Sequence, residues 1–124
     1  MTNIVDRESK ELVGYGTCIQ HYRVKRKGSL LLKKKHKRPT IIRKIHIWVK
    51  SECQVSIEVD KKQYKEYTVT RTANSCLNIR IPVAKGSTFT IRMLSKGYVD
   101  CVTVFDCPPD DLYRREHRAE VPVY

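Results

Sequence analysis

Four histidines and five cysteines are the residues of this chain whose chemistry goes beyond packing and charge. A thiol beside an imidazole is the minimum for a nucleophilic pair, and Cys or His ligands at short spacing are what zinc requires. Neither arrangement is written locally. His21 falls in a strand-like run, His36 in a lysine run, His46 on a strand face and His117 in the tail, with no cysteine signature beside any of them. Cys18, Cys53, Cys76, Cys101 and Cys107 include no C-x-x-C pair, and only Cys101 and Cys107 come close, with five residues intervening. An odd number excludes a complete disulfide framework within one chain. Their places in apolar strand patterns suit small buried hydrophobes in a reducing compartment. Asp106, Asp110 and Asp111 lack the alternation and the glycine of a calcium loop, and Gly14 with Gly16 is too little for a phosphate loop. The expectation is a protein that is not an enzyme, with no cofactor and no metal.

Positive charge is the chemistry that the sequence does write plainly. The chain carries a formal net charge of +12, and nearly all of it lies in residues 23–50, which hold twelve basic side chains and no acid. Such asymmetry points to a local contact with something anionic. Within it Arg23, Lys25, Arg26 and Lys27 precede a Gly28-Ser29 turn, then come Leu30, Leu31 and Leu32, then Lys33, Lys34, Lys35, Lys37 and Arg38. That order predicts a hairpin or projecting basic arm with an apolar tip, because three consecutive leucines are wasteful in a loop unless they dock. Trp48 stands among bases on a strand's outer face. It can pack, meet a cation, or stack on a nucleobase.

The elements that must carry these residues are strands. Leu77, Ile79, Ile81 and Val83 alternate with polar residues, as do Phe89, Ile91 and Met93, with glycine turns at residues 84–87 and 95–97. Residues 98–105 are apolar on both faces and so belong in a covered, central position. The three runs together read as an antiparallel meander. Ile45, Ile47 and Val49 make an earlier strand, Cys53, Val55, Ile57 and Val59 its partner, and residues 64–69 a less regular one after the Asp60-Lys61-Lys62 turn. A first strand with Tyr15, Thr17 and Ile19 on one side is expected near residues 13–22. About six or seven short strands at roughly ten-residue spacing predict an all-β, antiparallel β-sandwich, jelly-roll-like or Ig-like, with an extended basic arm and terminal extensions.

The expected organisation is an N-terminal arm with a candidate first strand over residues 1–22, a basic arm or hairpin over 23–40, the sandwich core over 41–107, and a C-terminal extension over 108–124. Asp110 is placed to cap a short helix over residues 112–118. Val121, Val123 and Tyr124 make an extended apolar tail suited to hooking a neighbour. No run of about 18 apolar residues offers a membrane span, and the mixed charges of residues 6–11 do not read as a secretory signal, so synthesis in the cytoplasm is expected.

Residues 43–49, 55–60, 79–83 and 86–93 together resemble the small β-sandwich components of bacteriophage necks and tails. The resemblance implies a non-enzymatic component of the virion, in a homo-oligomeric ring or hetero-assembly with other virion structural proteins and joined through its arms. Residues 30–32 and 121–124 would be buried against neighbours, and no membrane would be involved. The competing expectation is a small nucleic-acid-binding β-barrel of the ribosomal-protein or OB type. There residues 23–50 would contact DNA or RNA phosphates, with Tyr22 and Trp48 as stacking platforms.

Overall fold

The computed structural model describes residues 16–109. Eight strands follow one another: β1 (Gly16–Lys25), β2 (Leu30–Lys35), β3 (Thr40–Val49), β4 (Cys53–Val59), β5 (Lys62–Val69), β6 (Cys76–Val83), β7 (Thr88–Met93) and β8 (Gly97–Cys107). They form two four-stranded antiparallel sheets, a front sheet in the order β1-β8-β3-β6 and a back sheet in the order β2-β7-β4-β5. Every connection except that from β4 to β5 passes from one sheet to the other. This is the double-sheet jelly roll, and it settles the choice between jelly-roll and Ig-like order.

Alternation decides which side chains fill the space between the sheets. Ile45, Ile47, Val102 and Val104 of the front sheet meet Val55, Ile57, Phe89, Ile91 and Met93 of the back sheet, all nearly or fully buried. Each such side chain contributes about 1.5–3 kcal/mol when taken out of water. The expected central position of residues 98–105 holds, since β8 lies between β1 and β3. The expected meander does not. β6 pairs with β3, β7 with β2 and β4, and β8 with β1 and β3, so these consecutive strands never touch as sheet neighbours. Likewise β4 is not the partner of β3. A period of two says which face is buried, whereas pairing depends on whether the connection spans the roughly 10 Å between sheets. Among the described residues only the Asp60-Lys61 turn makes a true hairpin, with φ of 52° and 68° at its two residues, the left-handed pair that a tight two-residue loop demands.

The basic segment is part of the sandwich rather than an arm beside it. Among the described residues the sheets already include Gly16, and residues 23–40 are the end of β1, a four-residue turn, all of β2 and the loop into β3. The turn is closed by the Ser29 N–H donating to the Arg26 carbonyl, with Gly28 at φ 88° donating to the Met93 carbonyl. The N-terminal arm before residue 16, the helix at 112–118 and the tail at 121–124 lie outside the described residues.

Candidate polyanion-binding edge and the aromatic face beside it

β1 and β2 are the outermost strands of their sheets on the same side of the sandwich. Side chains bridge the gap between them: His21 Nε2 donates to the Leu31 carbonyl at 2.9 Å, and Lys34 Nζ donates to Thr17 Oγ1 at 3.1 Å. Burial lowers the His21 imidazole from its ordinary range, and Lys25 and Arg23 lower it further against the raising effect of the Leu31 bond. The positive field of the edge is therefore felt within it.

Lys33, Lys34 and Lys35 on β2 are exposed, as are Arg23 at the end of β1 and Arg26 and Lys27 in the turn; Lys25 is half-buried. Lys37 and Arg38 extend the same charge around the loop to β3. The strands are antiparallel in space, so the two basic clusters sit at opposite ends of one edge and together cover its length. Among the described residues the ion pairs are Arg92 with Glu58 and His36 with Asp106, and neither uses a lysine or arginine of this edge. Lysines on an edge strand also discourage sheet-to-sheet aggregation, which accounts for some of them.

The leucine triplet is not an apolar tip. Leu31 and Leu32 are 1% and 3% exposed in the core, and only Leu30 reaches solvent. The cause is a bulge: Leu30 stands opposite Arg92 and Leu32 opposite Ile91, so Leu31 is an extra residue, and both it and Leu32 turn inward. Neither is available to a partner. Val121, Val123 and Tyr124 lie outside the described residues.

Trp48 lies on the outer face of the front sheet and is 49% exposed. The register places Gln20, Cys101 and Trp48 in one row across β1, β8 and β3, and Tyr22, 57% exposed, sits in the β1 bulge just beyond Gln20. His46 is two residues back along β3, its ring 5.9 Å from that of Trp48 and 5.6 Å from that of Phe105. Lys50 Nζ lies 4.4 Å from the Tyr98 ring centre. This face also holds Cys18, Cys76 and Cys101, and none of the five cysteines forms a disulfide. Among the described residues no group of three or more Cys, His, Asp or Glu side chains is placed to hold a metal ion.

A shallow depression of about 290 Å³ opens on the back sheet, lined by Lys33, Glu58, Lys61, Thr90 and Arg92 among others. Its carboxylates are already engaged. Arg92 Nε donates to Glu58 at 3.0 Å, and hydrogen bonds from Ser87 and the Thr88 N–H hold the exposed Asp60 carboxyl below its usual range.

Among the described residues no helix is long and apolar enough to cross a membrane. No protein-family model matches the chain, and no curated protein matches it. Among solved structures, a family 35 carbohydrate binding module from an environmental isolate aligns with 67% of this chain and 72% of its own, at a TM-score of 0.43 and 15% identity.

Proposed function

We propose that this protein is a non-catalytic jelly-roll module that grips nucleic acid along its β1/β2 edge. The observation that carries the reading is the position of the charge. A net +12 chain places nine of the twelve bases of its acid-free stretch on two adjoining edge strands and their loops, and among the described residues no carboxylate forms an ion pair with any of these nine. Clustered Lys and Arg neutralise phosphates and release counterions, so affinity falls linearly on a logarithmic scale with salt. Changing Lys33, Lys34, Lys35 and Lys37 together to Gln lowers the slope of log K against log salt by about 3 for a single strand. An unchanged slope overturns the reading.

The strand order favours a second reading, a structural component of a virion, because the eight-strand jelly roll recurs in viral capsid domains. Architecture alone does not assign function. The burial of Leu31 and Leu32 removes one of the apolar contacts that reading relied on. Sedimentation of the native particle before and after nuclease separates the two: retention in a protein-only particle favours the virion component, and release on digestion favours the nucleic-acid grip.

A further inference from the structure

We infer that the nucleic acid held at this edge is single-stranded and that its bases stack on Trp48 and Tyr22. This rests on the nucleic-acid reading above and adds which form is bound and where the bases go. A duplex offers phosphates to a basic edge but keeps its base faces inside its own stack, so exposed rings beside that edge have nothing to do in a duplex complex. A single strand offers a π-face with every base, and each base stacked on an aromatic ring is a contact that no sequence is needed to make.

The rings are placed for it. Trp48 and Tyr22 are about half exposed, whereas most large apolar side chains among the described residues are buried. The row that joins Gln20, Cys101 and Trp48 puts Trp48 on one neighbour of β8, and Tyr22 lies two residues beyond Gln20 on the other. The Tyr22 backbone is held at φ 51°, a left-handed conformation that is costly for a non-glycine residue, although the ring gains little burial there to offset it. Basic residues lie near both aromatic residues along their strands. Arg23 follows Tyr22 directly, Lys50 lies two residues beyond Trp48, and Lys44 lies on the same side of β3 as His46 and Trp48. Phosphates leaving the stacked bases thus meet charge in each direction, and β1 carries the path onto the β1/β2 edge.

Trp48 is the single tryptophan of the chain, so its emission reports on this face alone. The full chain is titrated with oligothymidylate, with a DNA duplex of equal length, and with heparin, a polyanion without bases. Oligothymidylate is expected to quench the emission and to bind at least several-fold more tightly than the duplex, while heparin binds without quenching. Trp48→Ala is expected to weaken oligothymidylate binding roughly 5- to 100-fold and to leave heparin binding unchanged. Duplex binding as tight as single-strand binding, with no quenching by either, overturns this inference and leaves the basic edge standing. Failure of all three polyanions to bind overturns the edge and this inference together.

Discussion

The Sγ of Cys76 lies 3.3 Å from Nε2 of His46, across the register pair that joins β6 to β3 on the exposed face of the front sheet. Burial, and then the charge of Lys44, lower the His46 imidazole, so at neutral pH it is uncharged and able to accept the thiol proton. Cys18 has only the Thr103 hydroxyl at 3.4 Å, a donor that takes no proton away. Cys76 is therefore expected to react with iodoacetamide faster than Cys18 or Cys101, and His46→Gln to slow Cys76 several-fold while leaving the other two unchanged. Protonating the imidazole removes its acceptor, so the contrast between wild type and variant is lost as pH falls through a value below 6.5. Peptide mapping of alkylation at early times checks this, and preferential labelling of Cys18 contradicts it.

The burial of Leu31 and Leu32 gives a sharp contrast within three consecutive residues. Leu31→Ala and Leu32→Ala are each expected to cost about 2–5 kcal/mol, since both leave a cavity in the core. Leu30→Ala, at the exposed start of β2, is expected to cost less than about 1 kcal/mol. Urea denaturation of the three variants checks this. Equal, small effects would return the triplet to the role of a docking tip.

That contrast also marks how far the sequence could be read. The alternation at Leu77, Ile81, Phe89, Ile91 and Met93 identified strands and their buried faces correctly, because a half-buried strand has no other way to satisfy both surroundings. The bulge at Leu31 was not legible, because an extra residue shifts the period without changing composition. Pairing was hidden for a related reason: residues 84–87 look like a hairpin turn, yet they carry the chain across to the other sheet. The basic cluster was visible as charge, but only the fold shows that its halves lie on adjoining edge strands. Trp48 was read correctly as an outer-face residue, and its row with Gln20 and Cys101 came from the register alone.

Gly97 opens β8 where it passes Cys53. A Cβ added there would lie 2.8 Å from the Cys53 Cβ, closer than two such carbons can come. Gly97→Ala is expected to destabilise by about 1–3 kcal/mol through overpacking. Adding Cys53→Ala is expected to bring no relief, because alanine keeps the Cβ that makes the clash. A neutral Gly97→Ala in thermal or urea unfolding would show that the two strands separate there at little cost.

His36 and Asp106 give the fold a dependence on pH. His36 is 7% exposed, its Nε2 is buried with no hydrogen-bond partner, and its Nδ1 stands 4.0 Å from Asp106 Oδ2, which also accepts from Thr40 Oγ1 at 3.1 Å. Burial lowers the imidazole more than the Asp106 carboxylate raises it, and Lys34 lowers it further. The unfolded chain keeps the ordinary value of 6.5, so below it the unfolded state binds a proton that the folded state refuses. Stability is thus complete above 6.5 and declines as pH falls toward the lower folded value, with the lowered His21 and His46 acting in the same direction. Asp106 acts oppositely: burial raises its carboxyl above 3.8 against Lys34, Thr40 and His36, so the folded state holds that proton longer and regains some stability nearer 3.8. The urea midpoint is expected to fall between about pH 7.5 and about pH 5.5, and His36→Gln to make that fall shallower whatever its effect on the midpoint itself. An equally steep fall in the variant would assign the dependence to His21 and His46 instead, and a flat profile in the wild type would show that the buried imidazole takes up its proton without cost.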